Sequence, residues 1–566
     1  MLRRHGGAIY AKEPIMKRRT GSHAVVETLH SEGVTTVFGI PGVDTLGVYD
    51  AFLDRPEINA INVRHEQSAV FMADGFARSG GGVGVALTSG GPGALNTLTA
   101  MATAHNDSSA VLHLLNENPA HVRRKSRGYF HDLIDQFGIF RPVTDFAAQP
   151  VLASEIPTAI SLAMQALKSR RPRPAIVEIA GEAFAEPWDG SVEPPLSAQR
   201  RQPQPEDLDR MADILRRAER PVIWAGGGVV ASNASSELLE LAERLGAPVL
   251  TAQAGKGSFP PDHELHVGNW ANEEPVRDLL RRSDVLLAVG TRFSYFPTGG
   301  WSLELPATVL QIDLDPAEIG RNYGTAASVV GDAAPALQGL LDRMGEVANA
   351  SRVAEVADVV ARIARGVGTP PEIQMLDQIR AALPHNARVF NDPTSIAFWA
   401  RSHWRAYEPR TWFVPSGFGT LGFALPASIG SKIAVPDAPS VAIIGDAGIM
   451  FTIQDLMTAV EHSIPVIVIV FNDQGYGVER RHQDHLYGRR SGVDLQPPDF
   501  VALAHAFGAR GVRVEDLSAV GAAVESALDA RGPVVIEVPN RFSHPGYGSF
   551  VAWDEQHTAL TKGAAQ

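Results

Sequence analysis

Between Val441 and Gly477 the polarity of the chain switches in a way that defines one structural unit. The apolar run Val441 to Ile444 reads as a buried strand ending at Gly445-Asp446. A helical spacing follows from Thr452 to His462, with Ile453, Leu456, Met457 and Val460 on one face. Ser463-Ile464-Pro465 breaks it, and a second buried strand, Val466 to Phe471, leads into Asn472-Asp473-Gln474-Gly475. Two parallel strands joined by a crossover helix bring Asp446 and Asp473 to one carboxyl edge of a sheet, where α/β ligand sites form. Two hard oxygen ligands beside small residues suit Mg²⁺ bridging protein and a diphosphate. An ordinary α/β unit with acidic strand ends would show the same pattern without that chemistry.

The rest of the chain repeats this alternation. In the first part, Thr20 to Glu32 is a helix, Val37 to Gly42 a strand and turn, and Ile58 to Val63 a strand. A helix then runs from Arg64-His65-Glu66 through Arg78. Glu66 falls at a strand's carboxyl end and in a helix's first turn, so its carboxylate either serves the helix dipole or is proton-active. Gly90-Gly91-Pro92-Gly93 ahead of an apolar helix reads either as a phosphate loop or, the preferred reading, as glycines that let a neighbouring backbone or the substrate approach. In the middle, Pro221 to Ala231, Ser235 to Leu245, Ala247 to Thr251, Asp284 to Gly290, Val309 to Asp313 and Val329 to Gly331 form a Rossmann-like series lacking G-x-G-x-x-G. The last part opens with the helix Ile373 to Leu383. The strand Val389 to Ser395 ends in a polar turn placed to hydrogen-bond a diphosphate, and Asp499 to Arg510, Ala519 to Leu528 and Val534 to Val538 complete the sheet. Glu479, Arg480, Arg481 and His482 fall on a helix after the acidic loop; an arginine there can hold a carboxylate, or the run is a solvated face.

The fold expected is α/β, three doubly wound parallel-sheet domains. The expected divisions are a disordered leader (1–19), a first domain (20–186), a linker (187–205), a central domain (206–346), a linker (347–371), a third domain (372–545) and a tail (546–566) whose Phe550 and Trp553 could cover a cleft. A length of 566 residues fits about three domains. The net charge of -13 argues against nucleic acid or an anionic membrane as partner. The absence of cysteine removes disulfides, thiolate nucleophiles and cysteine-bound metal. No apolar run is long enough for a membrane span, and the basic Met1 to Arg19 lacks the apolar centre of a secretory signal; a cytoplasmic enzyme is expected.

The segment Gly445-Asp446-Ala447 to Asn472-Asp473 resembles the Gly-Asp-Gly…Asn-Asn motif of thiamin-diphosphate (ThDP) enzymes, with Ala447 for the third glycine and Asp473 for the second asparagine. If position 447 requires positive φ, alanine costs about 1 kcal/mol there. FGIPG, RHEQSAVFMADGFAR and TSGGPGALN look like the pyrimidine-binding domain of the acetolactate synthase-like branch, which includes benzoylformate and pyruvate decarboxylases. The resemblance implies ThDP contacts at Pro41, Gly42, Glu66, Asp392, Thr394, Ser395, Gly419, Leu421, Gly445, Asp446, Ala447, Gly448, Asp473, Gly475 and Tyr476, with Mg²⁺ on Asp446, Asp473 and Gly475. Glu66 would hydrogen-bond the aminopyrimidine and drive its imino tautomer. The Gly419 carbonyl would accept from the 4′-amino group, and Leu421 would hold the two rings in a V. Leu421 is expected to be buried whether as that wedge or as simple core. His131, in the place of a glutamine facing substrate, and His482, in that of a tryptophan, are candidate proton donors; His65 and His105 are weaker ones.

Ser294-Tyr295-Phe296, Asn269-Trp270-Ala271 and Asp145 replace residues that accompany flavin and pyruvate in acetolactate synthase, so neither FAD nor the biosynthetic reaction is expected. The activity implied is decarboxylation of a 2-oxo acid followed by carboligation to an aldehyde or oxo acid, a transferase or lyase reaction. Simple decarboxylation is the alternative, followed by an acyloin lyase, a flavin-linked oxidase or a non-catalytic scaffold. The family's assembly implies a homodimer or homotetramer with active sites between subunits.

Overall fold

The computed structural model describes residues 19–345, 351–539 and 541–543. The expected leader up to residue 18, the tail 546–566 and its Phe550 and Trp553 lie outside them. Three six-stranded sheets follow one another, and every pairing within them is parallel. The first contains β1 (Thr36–Gly39), β2 (Asn59–Asn62), β3 (Gly84–Thr88), β4 (Val111–Glu117), β5 (Phe146–Ala148) and β6 (Ala175–Ala180), in the order β2-β1-β3-β4-β6-β5. The second contains β7 (Pro221–Ala225), β8 (Val249–Thr251), β9 (His266–Gly268), β10 (Val285–Val289), β11 (Thr308–Asp313) and β12 (Ala327–Val330), ordered β12-β11-β10-β7-β8-β9. The third contains β13 (Arg388–Asn391), β14 (Trp412–Phe413), β15 (Ser440–Gly445), β16 (Val466–Asn472), β17 (Arg510–Arg513) and β18 (Val534–Pro539), ordered β14-β13-β15-β16-β18-β17. The apolar runs β3, β4, β10 and β16 are central and buried throughout, as strands covered on both faces must be.

Several local expectations need correction. The stretch 347–371 is no bare linker: Val353–Val367 is a helix whose Val356, Val359 and Ile363 join the core beneath β7 and β10. The start of the first linker belongs to the first domain, since Thr20 bridges Pro187 and Trp188 is buried. Between β15 and β16 the helix is split into Ile453–Asp455 and Leu456–Glu461, and its innermost residues are Asp455, Leu456, Thr458 and Ala459. Met457 and Val460 are only half-buried, because the face turns toward the first domain, where Arg64 N–H donates to Asp455 (2.8 Å).

The first and third domains are locked by two crossing helices, Glu66–Phe76 and Ala424–Ala434. A Cβ at Gly75 would lie 2.0 Å from the Ala427 oxygen, and one at Gly430 would lie 1.9 Å from the Met72 oxygen. Phe71 meets Phe423 edge to face at 5.6 Å, inside a core cluster drawn from both domains. No helix among the described residues is long and apolar enough to cross a membrane.

Candidate active site

The third sheet carries the acidic pair. β15 delivers Asp446 as the first residue of the short helix Asp446–Ile449, and β16 delivers Asp473 on the neighbouring strand. Both are buried. Asp446 Oδ2 accepts the Gly475 N–H (2.9 Å). Asp473 Oδ1 is buried without a hydrogen-bond partner. Burial raises the Asp446 carboxyl; burial, then the facing Asp446 charge, push Asp473 up to about 7. Two like charges shut away from water with an orphaned oxygen create a demand for a cation. Among the described residues no third carboxylate, histidine or cysteine joins them, so further ligands must be main-chain or ligand oxygens, as expected of Gly475.

The surroundings are shaped for close approach. A Cβ at Gly448 would stand 2.8 Å from Asp392 Oδ2, and one at Gly477 1.9 Å from Asp473 Oδ2 and 2.8 Å from Ser395 Oγ. Gly445 lies against Thr394, whose hydroxyl caps the helix Ser395–His403 by accepting the Ala397 N–H (3.3 Å). Ala447 is the second residue of that helix and is absent from the positive-φ residues, so the anticipated backbone strain does not arise. Tyr476 N–H donates to the Val493 carbonyl (2.9 Å), closing the acidic loop.

Two assignments change here. The Asp392 side chain is turned inward rather than toward a diphosphate: it accepts the N–H groups of Gly422 (2.6 Å) and Ala424 (2.8 Å), with burial pushing its carboxyl up to about 7. It clasps the segment that carries Gly419 and Leu421. Arg480 is neither a solvated residue nor a substrate clamp; it is buried and donates to the Asp473 (3.1 Å) and Gln474 (2.8 Å) carbonyls and to Asp494 (2.9 Å). It staples the acidic loop from behind. His482 follows on the same helix, Gly477–Tyr487, and is half-buried.

Leu421 is not core. It is half-buried, and the preceding Phe418 is 49% exposed, because Pro415–Leu421 is a turn projecting from the sheet edge around Gly419 (φ 71°).

The first sheet carries Glu66, the opening residue of its helix, with His65 capping at the Gln67 N–H (3.2 Å). Glu66 Oε2 accepts from Asn96 Nδ2 (3.0 Å), and Oε1 would be 3.5 Å from a Cβ on Gly93. Gly42, beside Pro41 in the turn after β1, touches Ser89 of the same glycine loop. His131 lies beneath that loop: a Cβ on Gly91 would be 2.7 Å from its own Cβ. The imidazole is stacked on Phe130 (3.8 Å), Nδ1 is 3.8 Å from Asp44 Oδ2, and the residue has positive φ (60°). It is therefore packed beneath the glycine loop and not a surface histidine, whereas His105 pairs with Asp145 (3.3 Å) away from it. Sequence reasoning passed over Asn96, Asp44 and the buried Asn116, Gln136 and Glu178 behind the loop. Only Asn96 had a signal, as the end of TSGGPGALN.

A cavity of about 890 Å³ opens where the first, central and third domains meet, at the reversal of strand order between β10 and β7. Gly228, Gly290, Arg292, Lys256 and Arg401 line it, as do the replaced Ser294, Tyr295 and Phe296.

The helix-opening glutamate and the buried acidic pair thus sit at strand ends of two parallel α/β sheets with one strand order, an architecture that agrees with the family the chain matches. The chain belongs to the thiamine pyrophosphate enzymes: it matches their N-terminal TPP binding domain over residues 19–139, their central domain over 208–340 and their C-terminal TPP binding domain over 392–538. It is 36% identical to the protein named "Probable 2-ketoarginine decarboxylase AruI" of Pseudomonas aeruginosa, over 92% of this chain and 94% of that one. It is 34% identical to a probable acetolactate synthase large subunit of Methanocaldococcus jannaschii (92% and 91%) and 31% identical to acetolactate synthase isozyme 3 large subunit of Escherichia coli (91% and 93%). It is a ThDP-dependent enzyme of the decarboxylase and carboligase type.

Proposed function

We propose that this enzyme uses ThDP and Mg²⁺ to decarboxylate a 2-oxo acid and joins the remaining fragment to an aldehyde or oxo-acid acceptor. The observation that carries the reading is the buried Asp446–Asp473 pair with its unpartnered oxygen, at an edge where Gly448 and Gly477 let Asp392, Asp473 and Ser395 pack close around it. Asp446, Asp473 and the Gly475 carbonyl would hold the metal; Thr394, Ser395, Gly445, Ala447, Gly448 and Tyr476 would surround the diphosphate. Pro41, Gly42, Gly419 and Leu421 would flank the rings. Bound ThDP supplies the electron sink that makes loss of CO₂ possible. Glu66 would hold a proton at Oε1 or Oε2 against the pyrimidine, with Asn96 fixing its orientation. The apolar edges Phe418–Leu421 and Phe130–His131 would keep water from the reacting carbon.

A second reading, protonation with release of aldehyde, is favoured by His131, an acid-base group beneath the glycine loop beside Asp44. The replaced residues at 269–271 and 294–296 support an enzyme without FAD. Exposed apolar side chains on both edges, Phe418 at 49% and Phe130 at 64%, support an assembly in which a second chain covers them.

The test is CO₂ release by purified protein with ThDP and Mg²⁺ from a panel of 2-oxo acids. Pyruvate, benzoylformate and the guanidinium-bearing 2-ketoarginine belong in it, each with and without aldehyde acceptors. Acyloin products support ligation, and aldehyde alone supports the second reading. No release from any donor would refute both.

A further inference from the structure

Behind the glycine loop lies a buried polar chain that holds the loop from its inner side. Glu178 of β6 is fully buried. Its Oε1 accepts from Gln136 Nε2 (2.7 Å), and its Oε2 accepts from Gln149 Nε2. The other Gln136 amide proton goes to the Asn116 carbonyl (2.9 Å). With both N–H groups committed, Gln136 can present only Oε1 to the loop, where it accepts the Gly91 N–H (2.6 Å). Asn116 Oδ1 accepts the adjacent Gly90 N–H (2.6 Å). Gly91 has φ +59°, with His131 packed against it, and Gly93, two residues on, lies against Glu66.

We infer that Glu178 is a positioning residue: by accepting from two glutamine amides it fixes the orientation of Gln136, which holds Gly91 and so sets the loop on which Glu66 and His131 rest. The logic is one of donors and acceptors. An ionised carboxylate satisfies two NH₂ groups at once, whereas an amide satisfies one and turns its own NH₂ on the other. When Gln136 is the one refused, it flips and offers a donor to the Gly91 N–H, and the loop loses its anchor. The link to catalysis rests on the reading of Glu66 as the group facing the pyrimidine; the link to Gly91 does not.

The experiment reads both links separately on the full chain. In cofactor-free protein, peptide-resolved hydrogen exchange follows the Gly90 and Gly91 amides. Glu178→Gln should exchange them about tenfold faster, and Gln136→Met should do the same. Gln149→Met, which leaves the Gln136–Glu178 bond intact, should match wild type. Glu178→Asp restores two acceptor oxygens and should recover part of the protection.

With ThDP and Mg²⁺ added, cofactor affinity should hold in Glu178→Gln. Deuterium exchange at C2 of bound ThDP, and kcat on any oxo acid turned over, should fall about tenfold, with KM within about twofold.

A pH profile separates positioning from scaffolding. Burial first, and Glu117 from β4 second among the raising influences, push Glu178 up to about 7 against the hydrogen bonds of Gln136 and Gln149 and the charge of Arg124. As pH falls through that value the protonated carboxyl gives up an acceptor. Gly91 protection, corrected for intrinsic exchange, should drop in wild type and stay flat in Glu178→Gln. Wild-type Gly91 protection in Glu178→Gln overturns the proposal, as does wild-type protection in Gln136→Met should Glu178→Gln not fold. So does unchanged C2 exchange in a variant whose loop has loosened. Failure of every oxo acid to react would sink the proposed function and leave the amide result standing.

Discussion

The first and third sheets run their strands in the same order, β2-β1-β3-β4-β6-β5 and β14-β13-β15-β16-β18-β17, and use the same exits for opposite purposes. Where the chain leaves β3 and β4, the first domain has a glycine loop whose N–H groups are taken by the neutral amides of Gln136 and Asn116. At the matching exits of β15 and β16, the third domain has Asp446 and Asp473, with a Gly475 N–H on one carboxylate and an oxygen of the other left over. One edge has its loop N–H groups settled internally by neutral amides and presents the single glutamate Glu66 above them. The other keeps two facing carboxyls, both raised by burial, with one oxygen left unpartnered. Shared topology thus fixes where chemistry can sit, and the side chains at two turns decide its sign.

That contrast is open to attack in order of expected effect. Asp446→Ala removes the carboxylate that orders Gly475 and should abolish retention of ThDP, measured by cofactor content after gel filtration. Asp473→Asn keeps one carbonyl oxygen and relieves the like-charge contact, so it should retain cofactor; equal loss in both variants would show the ligands are misassigned. At the glycine-loop edge, Glu66→Ala should leave cofactor binding within about tenfold and cut turnover by about 10²–10³-fold. A comparable loss of binding would mean that the two edges do not divide the work.

If the edges of one site come from two chains head to tail, mixing inactive Glu66→Ala and Asp446→Ala proteins should restore about one quarter of wild-type activity at equal random exchange. Confirmed chain exchange with no activity would place both residues in one chain. Asp392→Asn, which leaves one acceptor for the Gly422 and Ala424 N–H groups, should cost about 1–3 kcal/mol of stability by denaturant titration and weaken the cofactor only through the Leu421 turn. His131→Gln should have the smallest effect, a few-fold shift of product from aldehyde toward acyloin read by chromatography.

The sequence revealed the strands far better than the connections between them. Unbroken apolar runs such as Val466 to Phe471 stand out once they are flanked by turns, and the positions of Asp446 and Asp473 at strand ends were legible because each follows such a run. Glu66, by contrast, follows the mixed strand Asn59–Asn62 and was placed by its helix start. Asp392 and Arg480 were not. Both sit in polar stretches where a surface role and a buried role look alike, and only the fold brings Gly422 to the one and the Asp473 carbonyl to the other. Glu178 was hidden inside β6, its partners 42 and 29 residues away in chain order. Leu421 erred in the other direction, since hydrophobicity predicts burial without saying that a second surface has to supply it.

The crossing of Glu66–Phe76 with Ala424–Ala434 sets how far this chain can diverge. The two helices follow equivalent strands, β2 and β14, and touch reciprocally, Gly75 on Ala427 and Gly430 on Met72. No methyl group fits at either glycine without parting the domains. A side chain added at either position would have to part the first and third domains of the chain, whereas the segments 120–135 and 477–495 take no part in that contact.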